Sequence, residues 1–337
     1  MQAAIYEDGS VATLEPLTLL RPVFDLRCGA LKLREKLELR RPEWPVSLVP
    51  RPELASLVGA REPDRGPDSL GDGRTLFISA SVIVDDSLLD SVEAIPDDRL
   101  LTHEGRVVGC LVSSGAGRLA ADLASGRADL GSLGLEEKSD LPLNVVSWPW
   151  DLVDATYGEI AKDAPLVPGH GERRGTMHEG AILVSPEGVT TGTGSTLEPG
   201  VVVDATGGEV LIGREVRVMA NSCIRGPACI GDGSLVRAGT RIYGGTSIGP
   251  VCKVGGEVSA AVIQSHSNKQ HGGYLGRSYL GSWVNLGAGT DTSDLRNDYG
   301  PVRVTIRGES VVTGRLSVGS IIGDHTKTAI GTKLNTG

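Results

Sequence analysis

From Ile212 an aliphatic residue recurs at every sixth position: Ile212, Val218, Ile224, Ile230, Val236, Ile242, Ile248 and Val254. An amphipathic helix repeats at about 3.6 residues and a half-buried strand at two, so a period of six belongs to a larger unit. Hexapeptide repeats are the mark of a parallel β-helix. Each hexad is then one flat side of a triangular coil of about 18 residues, and stacked coils pair at about 4.8 Å. Gly follows the aliphatic position in Ile212-Gly213, Ile230-Gly231 and Ile248-Gly249, at that same coil spacing. A narrow prism has no room for large rings, and from Ala181 onward the chain has no Phe. Its rings there are Tyr243, Tyr274, Tyr279, Trp283 and Tyr299, and all but Tyr243 crowd into the stretch from roughly 255 to 300 where the hexads lapse. That crowding is read as a functional loop outside the core.

A chain of 337 residues exceeds one typical core, and its texture changes near residue 165. The expectation is an α/β domain over 1–165 and a β-helix over 166–337. Within the first, strands are expected at Gln2 to Tyr6, Val46 to Val49 and Thr75 to Val84, a helix around Gly29 to Leu39, and a hairpin over Arg99 to Val112. A net charge of −9 argues against a nucleic-acid partner. No apolar run reaches the 18 or so residues of a membrane span, and Met1-Gln2-Ala3-Ala4-Ile5-Tyr6-Glu7-Asp8 lacks a signal-peptide pattern, so a cytoplasmic location is expected. Cys28, Cys110, Cys223, Cys229 and Cys252 show no metal or disulfide spacing and are expected to be reduced, with no metal site.

Cations cluster after the first strand in "PLTLLRPVFDLRCGALKLREK". Lys32, Arg34 and Lys36 read as a solvated helix face, whereas Arg21 and Arg27, in the loop, are candidates for holding phosphate. Asp85-Asp86 is a weak Mg²⁺ candidate and reads first as surface. That segment, with "SWPWDLV" at Ser147 to Val153, resembles the N-terminal domain of a divergent branch of bacterial sugar-phosphate nucleotidylyltransferase and acetyltransferase proteins. The resemblance implies a nucleotidyltransferase-like α/β fold followed by a left-handed parallel β-helix. The Gly-rich triphosphate loop of active nucleotidylyltransferases is missing from Tyr6-Glu7-Asp8-Gly9-Ser10, so the fold is expected in reduced form, with Mg²⁺ needed only if it is active.

The stretch His271-Gly272-Gly273-Tyr274-Leu275-Gly276, followed by Asn285-Leu286-Gly287-Ala288-Gly289-Thr290, resembles the acetyltransferase domain of the bifunctional glucosamine-1-phosphate acetyltransferase and N-acetylglucosamine-1-phosphate uridylyltransferase family. The chemistry is consistent with that. An imidazole titrating near 6.5 suits removal of a proton from an amine attacking a thioester. The resemblance implies His271 as the base, Arg241, Glu257, Tyr274 and Asn285 around the sugar phosphate, Ala288 in the turn approaching acetyl-CoA, and a homotrimer binding substrates between β-helices. Two departures stand out. Ser259 replaces a family Lys, whose charge Lys253 or Lys269 could supply, and Asp294 replaces a family Asn, where an acid would suit an ammonium. Hexads resume at Leu316, Ile322, Thr328 and Leu334 and stop within a coil at Gly337, in the region where the family holds the CoA adenine. Part of the donor site is therefore expected to be missing from the chain.

The expected function is acetyl-CoA-dependent N-acetylation of an amino-sugar 1-phosphate. Two alternatives stand beside it: sugar-1-phosphate nucleotidyl transfer by the first domain, and a non-catalytic, sugar-nucleotide-binding trimeric module.

Overall fold

The aliphatic column closes into the expected prism. Ile212, Val218, Ile224, Ile230, Val236, Ile242, Ile248 and Val254 are all buried together in one core. The computed structural model describes residues 1–336, and in it three parallel sheets form the sides of a left-handed β-helix. Face A has seven strands, from Val189–Thr191 to Ile321–Ile322, face B six, from Thr176–Met177 to Asn268–Lys269, and face C six, from Ile182–Val184 to Tyr274–Gly276. The register advances by 18 residues through Val210, Ala228 and Thr246 on face A and through Arg217, Leu235 and Lys253 on face B. Burying each inward Val or Ile is worth about 1.5–3 kcal/mol, so the repeat itself is the main stabilising force.

Where the hexads lapse, the coils persist but shorten. Lys253 pairs with Asn268, Arg241 with Glu257 and Glu257 with Tyr274, so the coil loses one to three residues at its corners. The stretch expected as a loop from roughly 255 to 300 is therefore regular β-helix as far as Asp291–Thr292. Tyr279 corrects that expectation most sharply: it lies in the strand Tyr279–Leu280 and is fully buried. The excursion comes later. Between Tyr279 and its next-coil partner Ile321 the chain leaves the prism for an antiparallel hairpin, Arg303–Ile306 with Glu309–Val312. The hairpin side packs Val302, Val304, Ile306 and Val318 on Trp150. Leu316 belongs to this excursion, is exposed, and does not resume the hexads, which return at Ile322.

The α/β part is built on a six-stranded sheet. Its strands are β1 (Gln2–Tyr6), β2 (Val46–Val49), β3 (Thr75–Ser79), β4 (Arg99–His103), β5 (Arg106–Val112) and β6 (Glu136–Lys138), in the order β2-β1-β3-β5-β4-β6. Strands β2, β1 and β3 run parallel, and β1 and β3 are apolar almost throughout, as befits strands covered on both faces. The strand expected over Thr75 to Val84 breaks at Ala80-Ser81 into β3 and a short pair, Val82–Ile83. The helix expected from Gly29 is α1, Leu33–Arg40, and three further helices are α2 (Pro52–Arg61), α3 (Asp86–Ala94) and α4 (Ala116–Ala124). Lys32, Arg34 and Lys36 are not a solvated face. Lys36 is fully buried, Arg34 pairs with Asp25 and Glu62, and Lys32 lies near Asp25.

Contacts divide the chain into two units. One holds residues 1–14, 20–26 and 32–147, and the other holds 15–19, 27–31 and the chain from Trp148 onward. The texture change had been expected at 165. The β-helix unit also includes α5 (Pro149–Asp163), which, with Ala164 just after it, packs on face A through Ile160 against Leu211 and Cys229.

Candidate functional site

Arg241, Glu257 and Tyr274 are register partners in successive coils of face C, so their side chains rise from one outward column. The Arg241 Nη2 donates to Glu257 Oε2 at 3.1 Å. Tyr274 lies along the sheet, over Gly276, and its hydroxyl donates to Asp294 Oδ2 at 3.2 Å. Burial, followed by the Asp294 carboxylate, pushes the phenol up to about 12, so Tyr274 is a donor at neutral pH. Sequence reasoning missed Arg277. Its Nε is 3.9 Å from Asp294 Oδ2, and it follows Gly276, the partner of Ser259. The cation absent at Ser259 thus has a neighbour on the next coil.

His271 occupies the corner between faces B and C, exposed, after Asn268–Lys269 and before Tyr274–Gly276. The corner is fixed from inside. Lys269 stands at the inward position of face B, in register with Val218, Val236 and Val254, and is 3% exposed. Its Nζ donates to the carbonyls of Gly255 at 3.0 Å, His271 at 3.0 Å and Gly273 at 2.8 Å. Burial lowers the Lys269 pKa to about 8, Asp291 opposing, so the group is an ammonium with three donors at pH 7. Lys269 therefore does not reach face C as a replacement cation. Lys253 is on face B, in an outward column continued by Asn268 and Asn285. Asn268 Nδ2 donates to Asn285 Oδ1 at 2.8 Å. Asn285 and the Tyr274 column are thus on different faces, with the His271 corner between them. Ala288 lies in the turn after Asn285, where its carbonyl accepts from Gly331 N at 2.7 Å.

Much of the motif has a purely architectural reason. Leu275, Leu280 and Leu286 point into the core. A side chain on Gly276 would meet the Tyr274 ring, and one on Gly287 would lie 2.5 Å from the Ala329 backbone of the next coil. Thr290 Oγ1 is 2.9 Å from Thr328 Oγ1, joining coils. Once these are set aside, and Asn285 is credited with its bond to Asn268 of the coil before, His271 and Tyr274 remain, and coil stacking gives no reason for an imidazole and a phenol at those outward positions.

In the other unit, the sheet order makes the end of β1 a switch point, where open α/β folds hold ligands. Glu7 and Asp8 are there, and both are engaged by the protein. Glu7 accepts from Val23 N and Arg51 N and pairs with Arg51 at 2.8 Å, and burial raises its pKa. Asp8 is penalised by burial, yet Ser10, Arg106 and Ser79 outweigh that and hold it below the usual range. Asp85 caps α3 by accepting from Leu88 N at 3.1 Å, and Asp86 pairs with Arg41, so the acidic pair has a structural occupation. Arg21 is in this unit, half-buried, whereas Arg27 belongs with the β-helix unit.

A family model described as a sugar nucleotidyl transferase matches residues 3–170. Over 74 residues the chain is 39% identical to a bifunctional sugar-1-phosphate nucleotidylyltransferase/acetyltransferase of Sulfurisphaera tokodaii, covering 22% of this chain and 18% of the relative. Over 110 residues it is 34% identical to the bifunctional protein GlmU of Methanococcus vannielii, covering 33% and 25%. Over 198 residues it is 32% identical to the bifunctional protein GlmU of Acidithiobacillus ferrooxidans, covering 50% and 43%. The chain spans less than half the length of these curated relatives.

Proposed function

We propose, for a chain that belongs to the GlmU-like family, that it is a sugar-phosphate transferase whose β-helix unit moves an acetyl group from acetyl-CoA to the amine of an amino-sugar 1-phosphate. The observation that carries this reading is the pair left after coil geometry is accounted for, His271 and Tyr274, with Asn285 on the other face beyond the same corner. His271 accepts a proton from the amine as its nitrogen attacks the thioester carbonyl carbon. The tetrahedral adduct then collapses, the carbon–sulfur bond breaks, and the proton passes to the departing CoA thiolate. Arg241, steadied by Glu257, and Arg277 supply guanidinium forks for the sugar phosphate. Asp294, which already accepts from Tyr274, receives the acceptor ammonium before it loses its proton. Lys269 acts on none of these atoms; it positions His271 by holding the carbonyls of the corner.

The match over residues 3–170 favours a second reading, nucleotidyl transfer by the α/β unit. The end of β1 weighs against it, because Glu7 and Asp8 already engage Arg51, Arg106 and the N–H groups there, where a triphosphate would need cations and N–H groups free. Incubation with acetyl-CoA and a panel of amino-sugar 1-phosphates, followed by mass spectrometry, tests the first reading. One acceptor of the panel should gain an acetyl group; a panel left wholly unmodified would reject it.

The same reading makes the protein a homotrimer. Asn285 and the Tyr274 column lie on different faces of one prism, and a second β-helix set against the His271 edge would bring its own face to the same substrate. Sedimentation at micromolar concentration should give three times the chain mass of 35.1 kDa, and a monomer throughout would count against a shared site.

A further inference from the structure

The β-helix unit has a cavity of about 500 Å³ on the outer side of face A, and His271 is not among the residues that line it. Its wall is mainly apolar, with the side chains of Val167, Leu211 and Cys229 on it, and its volume lies in the range of small-molecule sites. The segment Arg27–Leu31 forms one side, and it is firmly tied to the β-helix unit. Tyr279 Oη accepts from Arg27 N at 2.8 Å and donates to Arg27 O at 3.0 Å, and Ser247 Oγ donates to Gly29 O at 2.6 Å.

Among the titratable lining residues are three arginines and one aspartate, in a chain whose net charge is −9. Two of the arginines are paired. Arg214 grips Asp232 at 2.6 and 2.9 Å, and Arg174 pairs with Glu172. Arg27 differs. It is 8% exposed, one N–H donates to the Ala30 carbonyl, Nε has no partner, and no carboxylate meets it among the described residues. A buried guanidinium without a counter-charge is costly, and a partner that neutralises it recovers that cost.

We infer that this cavity is a binding site for a small organic anion, with a carboxylate or phosphate head on Arg27 and an apolar body along Val167, Leu211 and Cys229. Arg offers the planar fork that either head accepts. Titration calorimetry of the full chain with octyl phosphate, octanoate and octanol tests the site. Both anions should saturate it, with octanol at least tenfold weaker, and whichever anion binds more tightly identifies the head group. Arg27→Met should weaken the anions roughly 10- to 100-fold, the equivalent of losing a hydrogen bond to a charged group, while leaving octanol unchanged. Leu211→Trp, which fills the cavity and keeps Arg27, should abolish binding of all three. The site is overturned if octanol binds as tightly as the anions, if no anion binds up to millimolar concentration, or if binding survives Leu211→Trp. The first two outcomes need only the wild-type protein, and the last does not depend on the Arg27 variant folding.

Discussion

His271→Ala lowers kcat for acetyl transfer by about 10² to 10⁴, the usual contribution of a positioned general base, and leaves acetyl-CoA affinity nearly unchanged. The loss falls on kcat because the base acts on a proton in flight and adds little to ground-state binding. His271 is exposed at a corner and makes no core contact, so its removal should leave the Tm close to that of the wild type. Turnover is measured on whichever acceptor the wild type acetylates, with acetyl-CoA binding followed by calorimetry on the same preparation. Wild-type turnover in the variant would remove His271 from the chemistry.

Lys269→Met lowers kcat by roughly 10²-fold although the residue touches no substrate, since a misplacement of about 1 Å in a catalytic group can cost that much. The substitution keeps the length of the side chain and removes the three donors that pin Gly255, His271 and Gly273. The pH profile separates positioning from general damage. With its pKa lowered to about 8, Lys269 is an ammonium below that pH and an amine above it, so the wild-type rate should fall as pH rises through 8. Stability should move the other way. An unfolded Lys titrates near 10.4, so between pH 8 and 10.4 the unfolded chain holds a proton that the folded one has released, and the wild type gains stability relative to Lys269→Met across that window. A Lys269→Met enzyme with full kcat and the same alkaline limb would show that the corner needs no such support.

The period of six was enough to read the prism, because a narrow core admits only aliphatic residues and repeats that demand at every side. The register of 18 residues follows directly from Ile212, Ile230 and Ile248 on face A and from Val218, Val236 and Val254 on face B. The same rule misled where it was broken from within. Lys269 occupies an aliphatic position, and a lysine there gives no hint that three carbonyls satisfy it inside. Tyr279 looked like a loop ring because the coils had shortened, and shortening corners by one to three residues destroys a six-residue count without destroying the coil. The grouping of Arg241, Glu257 and Tyr274 was visible only through a family resemblance, since their sequence separations are those of the shortened coils. Arg277 was missed because its partner Asp294 comes from the start of the excursion, and no local pattern links the two. In the α/β unit β1, β2, β4 and β5 were legible as apolar runs, whereas α2, α3 and α4 escaped, their apolar stripes being short and mixed with Ser, Gly and Ala.

In the proposed function the β-helix unit carries the chemistry and the α/β unit does not. One reaction decides it: the full chain with acetyl-CoA, UTP, Mg²⁺ and glucosamine 1-phosphate, with the products resolved by mass spectrometry. The expected products are an N-acetylated sugar phosphate and free CoA, with no sugar nucleotide. A sugar nucleotide and pyrophosphate formed without any acetylated sugar would contradict that function, and would move the active centre to the end of β1.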